Sequence, residues 1–234
     1  RVSVALVTAA VARDLDDDLP PLRAALDAES VTHEVVDWHD PAVDWTRYDL
    51  AFVRSVWDYV GRRDEMLEWS RRVAAVTRLA NPPRALAWSS DKRYLADLAG
   101  AGVPVVPTAF AAPGEEMDWP PGEVVVKPAV SAGSIDTARH GPRDRARAGA
   151  HVARLHAQGR TAMAQPYLPG VEGTRGETAL VHIDGALSHA IRKGPMLVPG
   201  RRVVAGLFVE EEITPATPTA AEATVARAAL AAVP

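Results

Sequence analysis

Residues Glu123 to Ser134 read EVVVKPAVSAGS. Val124 to Val126 are consecutive β-branched residues of high strand propensity, and Lys127 stands where that run ends. A cation is thus delivered to a strand terminus. Pro128 cannot donate to a sheet ladder, so the chain leaves the strand into Ala129, Val130, Ser131, Ala132, Gly133 and Ser134. Small residues there let backbone N–H groups approach an anion closely, which is the outline of a phosphate site. The same stretch also fits a buried strand with a snorkelling lysine followed by an ordinary loop.

Its neighbours in the chain supply the context. Upstream, Ser89 or Ser90 is placed to cap a helix that runs through Lys92, Tyr94, Leu95 and Leu98 and stops at Gly100 or Gly102. Val103 to Phe110 reads as a strand, and Ala112 to Gly122 as a Pro/Gly-rich loop. Downstream, Arg143 to Gln158 reads as a helix and Thr161 to Tyr167 as a strand. Glu177 to Ile183 and Ala186 to Lys193 flank Asp184-Gly185, a strong two-residue hairpin signal. Counting outward from that turn pairs Ile183 with Ala186, Val181 with Ser188, Ala179 with Ala190, and Glu177 with Arg192, so opposite charges meet on one face. Thr219 to Val233 is alanine-rich and helical.

The N-terminal part has its own pattern. Val2 to Thr8 reads as a buried strand, the acidic Asp14 to Asp18 run leads to a helix with Leu22, Ala25 and Leu26 on one side, and His33 to Trp38 and Asp49 to Arg54 read as strands. Arg62 to Arg78 carries helical spacing at Met66, Trp69, Val73 and Val76. This β-α-β-β-α order predicts a small open α/β domain over residues 1–83. No G-x-G-x-x-G turn follows the first strand, so a dinucleotide fold has no support.

Composition narrows the classes. Apolar residues are 47% of 234, the net charge is −4, and basic residues are dispersed, so nucleic acid is not an expected partner. Cysteine is absent, which excludes disulfides and thiolate metal sites and fits a reducing compartment. The histidines at 33, 39, 140, 151, 156, 182 and 189 show no metal-ligand spacing. Val2 to Ala12 is too short to span a bilayer; it could mimic a signal-peptide core behind Arg1, but its apolar residues suit a first strand, so the cytoplasm is expected and a membrane is not.

In order and spacing, several of these motifs together resemble the ATP-grasp superfamily of carboxylate-amine ligases, in its glutathione-synthetase-like branch. They are Ser90-Asp91-Lys92, Ala101-Gly102-Val103-Pro104, Val126-Lys127-Pro128, Ser131 to Ser134, Ala164 to Pro169, the Asp184-Gly185 hairpin and Ile191-Arg192-Lys193. The resemblance covers roughly Asn81 to Arg202, and the N-terminal part fits the family's substrate-side, pre-ATP-grasp domain. It implies an α/β ATP-grasp fold with a central subdomain over 84–163 and an incomplete C-terminal subdomain over 164–234, and phosphate contacts from Lys92 and Lys127 under a loop formed by Ser131, Ala132, Gly133 and Ser134. It further implies an adenine-binding segment of Gln165, Pro166, Tyr167 and Leu168, with Glu172 the nearest carboxylate for the ribose, although Gly170 to Gly176 departs from the family pattern. Arg192 matches a position from which the family reaches the transferring phosphate, and a cross-strand Glu177 would hold it. Without the family match, a surface ion pair contributing about 0.2–1 kcal/mol is the simpler account of that pair.

Val35-Val36-Asp37-Trp38, Asp40-Pro41 and Arg54-Ser55-Val56-Trp57-Asp58-Tyr59 are similar to actinobacterial members that include the cycloserine-forming O-ureido-D-serine cyclo-ligases. That likeness makes Arg54, Trp57, Asp58 and Tyr59 expected substrate contacts; a capped strand end with a packed tryptophan fits them equally. The family's Mg²⁺ ligands, an Asp and a Glu-x-Asn or Glu-x-Glu pair, would follow Pro234, so no metal ligand is assigned here and a continuation of the chain is expected. Glu210-Glu211-Glu212 reads as a solvated acidic run. The expected activity is ATP- and Mg²⁺-dependent C–N bond formation through an acyl phosphate on a small carboxylate and amine, with a homo-oligomer left open. A noncatalytic nucleotide-binding protein on the same fold, or a two-lobed solute-binding module without nucleotide, are the alternatives.

Overall fold

The computed structural model describes residues 2–173, 176–194 and 212–234, arranged in two compact units that divide after Ser90. Glu210 and Glu211 of the acidic run, and Arg202 at the end of the stretch of resemblance, lie outside the described residues.

The first unit is a parallel sheet in the order β2-β1-β3-β4, built from β1 (Ser3–Thr8), β2 (Thr32–Asp37), β3 (Leu50–Ser55) and β4 (Arg78–Ala80). It also holds α1 (Leu19–Ala28), α2 (Arg63–Ala74) and α3 (Pro83–Ser89). β1 lies between two neighbours, and Val4 to Thr8 are all buried, which is why it reads as a continuous apolar run rather than an alternation. Leu22 and Leu26 of α1 pack on Val4 and Leu6. The helix expected over Arg62 to Arg78 ends at Ala74: Thr77 turns back to donate its hydroxyl to the carbonyls of Trp45 and Tyr48, and Leu79 is buried in β4. Val76 is therefore left 53% exposed.

Neither Ser89 nor Ser90 caps the helix after it. Pro83, with no N–H to satisfy, opens α3 instead; Ser89 is its last residue, and the Ser90 hydroxyl accepts from Arg63 at 2.8 Å and donates to the Ala87 carbonyl.

The second unit contains α4 (Tyr94–Gly100) and an antiparallel sheet in the order β5-β8-β6-β7. Its strands are β5 (Ala109–Ala111), β6 (Val124–Pro128), β7 (Ala138–His140) and β8 (Ala162–Pro166), with α5 (Arg145–Ala157) packed against them. Because Pro104 and Pro107 have no N–H for a ladder, only Ala109 and Phe110 of the strand expected over Val103 to Phe110 pair, and the strand runs on to Ala111. Val124 and Val126 face Ala148, Val152 and Leu155 of α5, each such burial contributing about 1.5–3 kcal/mol relative to exposure.

A second antiparallel sheet, β11-β10-β9, holds the hairpin of β9 (Glu177–Ile183) and β10 (Ala186–Lys193), with β11 (Ile213–Ala216) on its edge and α6 (Ala220–Ala231) following. Asp184 (φ 52°) and Gly185 (φ 77°) both take the left-handed backbone that the tight turn demands. Pro215 pairs with Ile191 on the edge strand, where a missing N–H is tolerated. Thr219 and Glu222 cap α6 reciprocally. The hairpin begins in the expected register, Ile183 opposite Ala186, but a bulge at Ser188 shifts everything beyond it. His189 pairs with Val181 and Ala190 with Leu180, so Thr178 stands opposite Arg192 and Glu177 opposite Lys193; the expected Glu177–Arg192 pairing does not form.

Candidate functional site

β6 distributes its side chains by the two-residue period of a strand. Val124 and Val126 go to the core, so Val125 and Lys127 go to the other face. There they line a cavity of about 330 Å³ within the second unit. Lys92, Ser131 to Ser134 and Thr137 form one side of it, and Gln165 to Leu168 with Val106 and Val171 form another. Glu177, Lys193 and Gly194 come from the hairpin sheet.

The lysine end of the cavity is tightly organised. The backbone N–H of Lys92 donates to the Ala129 carbonyl at 2.9 Å, which seats the residue against the loop after β6. Its Nζ then donates to the Ser131 carbonyl at 2.6 Å and to Ser131 Oγ at 2.8 Å, and Ser131 Oγ donates to the Pro128 carbonyl. Burial, reinforced by the neighbouring Lys127 charge, lowers the Lys92 ammonium to about 8. Burial also lowers Lys127, with Glu177 opposing the shift. Two cations held short of water beside a loop of small residues form an environment that an anion relieves. Gly133, Ser134 and Asp136 all have positive φ, turning the loop back on itself.

The far end is less polar. Gln165 stands opposite Val125 in the sheet and donates its amide to Thr108 Oγ1 at 2.8 Å. The Tyr167 N–H is used by the Glu123 carbonyl. Tyr167 lies under the Arg139 guanidinium, 3.5 Å from its ring centroid, and donates its hydroxyl to Glu172 at 2.6 Å. The Tyr167 and Arg139 hydrogen bonds hold the Glu172 carboxyl below the usual carboxylate range, and Glu172 is not among the cavity-lining residues.

Arg192 does not line the cavity either. The bulge at Ser188 puts Lys193 on that side, while Arg192 and Thr178 act on the Glu222 carboxyl of α6, which its Thr219 cap lowers to about 2. Sequence reasoning missed Lys193, Thr137, Val106 and Val171. Lys193 lay next to the chosen residue, and only the bulge decides between them. Val106 sits between two prolines in a segment read as a strand.

In the first unit, the expected substrate residues follow the C-terminal end of β3. Arg54 pairs with Asp16 at 2.9 Å and with Asp18 at 3.4 Å. Asp58 accepts from Trp38 Nε1 at 2.9 Å and pairs with Arg62, whose guanidinium stacks over Trp38. Trp57 and Tyr59 are half-buried in the 3₁₀ turn Trp57–Gly61.

Residues 4–81 match the family model for the N-terminal domain of D-cycloserine synthetase DcsG. The cycloserine biosynthesis protein DcsG of Streptomyces lavendulae is 44% identical over 206 residues, which cover 84% of this chain and 69% of the relative. The chain belongs to the DcsG family of ATP-grasp ligases. A crystal structure of D-cycloserine synthetase DcsG, 40% identical, superposes with a TM-score of 0.86 over 99% of this chain and 80% of that one. A D-alanine–D-alanine ligase from Bacillus anthracis complexed with ATP shares the fold, with a TM-score of 0.61 at 12% identity, over 100% of this chain and 78% of the other. The α/β ATP-grasp fold expected from the motifs is therefore present, and the chain is an ATP-dependent C–N ligase.

Proposed function

We propose that this ligase closes a ring within a small amino-acid substrate. A substrate carboxylate oxygen attacks the γ-phosphorus of ATP and ADP leaves; a nitrogen of the same molecule then attacks the acyl phosphate and inorganic phosphate leaves. The observation that carries the site reading is the convergence of Lys92, Lys127 and the Ser131 to Ser134 loop on one cavity whose other wall is Gln165 to Leu168. Bringing a carboxylate to a triphosphate gathers anions, and buried cations offset that repulsion where they are worth most. Lys127 lies on a rigid strand for that task. Lys92 spends two of its three N–H donors on Ser131 and keeps the third for a phosphate oxygen, so it ties the loop to the nucleotide.

Gln165, Pro166, Tyr167 and Leu168 would receive the adenine, and Val106, Val125 and Val171 line the same cavity. Lys193, with Glu177 opposite, is the cation we assign to the transferring phosphate; Arg192 and Glu172 act outside the cavity lining. Arg54, Trp57, Asp58 and Tyr59 remain the candidates for holding the substrate. Of these, Arg54 and Asp58 would do so while engaged in their own ion pairs.

Mg²⁺ would accompany the triphosphate and neutralise its charge. Among the described residues Glu177 is the one carboxylate lining the cavity, and no group of three metal-ligating side chains converges, so these residues do not by themselves make a Mg²⁺ site. No helix of the described residues is long and apolar enough to cross a membrane, and an ATP-consuming ligase suits the cytoplasm.

Ring closure is favoured over ligation of two molecules by the 44% identity to a cycloserine biosynthesis protein. A tethered nucleophile also needs no second subsite and gains the effective concentration of an intramolecular reaction. The test supplies ATP, Mg²⁺ and an amino acid bearing a side-chain oxyamine, and follows ADP and product mass. The expected product has lost one water from a single substrate molecule, with one ADP formed per ring. Product that appears only with a second amine overturns ring closure.

A further inference from the structure

We infer that Asp136, acting through Arg160 and Arg154, is a positioning residue that sets the conformation of the phosphate-facing loop; this rests on the reading of the cavity as the ATP site. The loop joins β6 to β7, and its two ends are secured in different ways. At the entry, Ala129 donates to the Thr161 carbonyl and accepts from the Lys92 N–H, both at 2.9 Å. At the exit, no backbone ladder holds Asp136, which adopts φ 54°, a conformation that costs a non-glycine residue and persists only where its surroundings enforce it.

Those surroundings are three cationic or imidazole side chains. Asp136 Oδ2 accepts from Arg160 at 2.6 Å and Oδ1 from Arg154 at 3.0 Å. Both arginines hold the Asp136 carboxyl below the usual range, against the effect of burial. The Asp136 carbonyl accepts from His151 Nε2 at 3.1 Å. A carbonyl can only accept, so His151 donates from Nε2, and its Nδ1 lies 3.2 Å from His140 Nε2, within hydrogen-bond reach. Burial lowers His140.

Arg160 completes the arrangement, because its other nitrogen reaches the Val130 carbonyl at 3.5 Å. One guanidinium therefore spans the loop from entry to exit. The segment left between, Ser131 to Ile135, carries the positive φ values of Gly133 and Ser134 and the residues that face the cavity. Loosening Asp136 releases this segment without removing any group that lines the cavity.

The consequence separates nucleotides by phosphate length. Asp136→Asn keeps a residue that tolerates left-handed backbone but removes the charge, and it should weaken ATP binding about tenfold while leaving adenosine monophosphate within about twofold, measured by calorimetry. Arg160→Ala should do the same, Arg160→Lys should recover part of the loss, and the Asp136→Asn/Arg160→Ala pair should be no worse than the worse single variant. Equal losses for ATP and adenosine monophosphate, or a lowered melting temperature with unchanged ATP affinity, overturn the inference. Lys127→Ala in the same series separates the two layers of the argument. If Lys127→Ala weakens ATP binding and Asp136→Asn does not, the positioning role alone is wrong; if Lys127→Ala has no effect, the site reading falls and the positioning role falls with it.

Discussion

Two strands, β6 and β10, carry a lysine to the same cavity, and they hold it by different means. β6 has paired neighbours on both sides and a core of valines against α5, so the face that Lys127 occupies is locked by every residue around it. β10 also lies between two strands, but Ala190 is its one buried residue, and Leu187 and the turn residue Ile183 are exposed. Its register past Ser188 is set by a single bulge. A central strand with a full core defines which way its lysine points; a thin hairpin leaves that choice to one irregular residue.

Lys127→Ala tests the better-held strand and carries the largest expected effect. Removing a buried cation from beside a triphosphate should weaken ATP affinity at least about a hundredfold, because charge-assisted contacts made away from water are the strong ones. Calorimetry with ATP and Mg²⁺ reads it directly. Unchanged affinity would mean that the valine run ends in a snorkelling lysine after all, and the contrast between the strands would lose its functional content.

The weaker strand is probed by a pair of neighbours. Lys193→Ala should lower kcat about tenfold or more with a smaller change in ATP affinity, whereas Arg192→Ala should leave kcat within about threefold. Deleting Ser188 sharpens the comparison, since removal of the extra residue takes away the bulge but leaves Lys193 opposite Glu177 and Arg192 opposite Thr178. In that background the order of the two alanine variants should be unchanged. If Arg192→Ala is the more damaging change in the unaltered protein, Arg192 works on the reacting groups and the bulge is not what assigns the cation.

Legibility followed the same division. The run of Val124, Val125 and Val126 ending at Lys127, and the Asp184-Gly185 turn, are local signals that packing reinforces, so the strand, its lysine and the hairpin could be read directly. The bulge at Ser188 has no such signal: serine has no special backbone preference there, and one extra residue reverses every face beyond it. β4 and β7, each three residues long, are similarly set by their neighbours rather than by their own pattern. The capping serines misled because Pro83 starts a helix of its own just upstream. The Asp136 network was invisible because its members, Asp136, His140, His151, Arg154 and Arg160, are spread over two strand ends and a helix.

The smallest expected effect comes from Lys92, which lies beside Lys127 and feels its charge. Its ammonium is lowered to about 8 from an ordinary 10.5, so between those values the unfolded chain binds more protons than the folded one. Stability from this group therefore rises as pH climbs from 8 towards 10.5, and its cost is fully present below 8. Lys92→Met, which keeps the length and drops the charge, should raise the melting temperature at pH 7 by about 2–4 °C, the equivalent of about 1 kcal/mol in a protein of this size. The gain should shrink as pH rises past 8 and be gone only above 10.5. Binding has the opposite sign: a phosphate favours the charged form, so ATP titrated at pH 8.5 should draw a proton from solution, seen as a dependence of the calorimetric heat on buffer ionisation enthalpy. At pH 6.5, where Lys92 is already charged, its contribution to that uptake should disappear, and Lys92→Met should remove the dependence at pH 8.5. A buffer-dependent heat that survives the substitution would place the titrating group elsewhere, with Lys127, also lowered by burial, the next residue to replace.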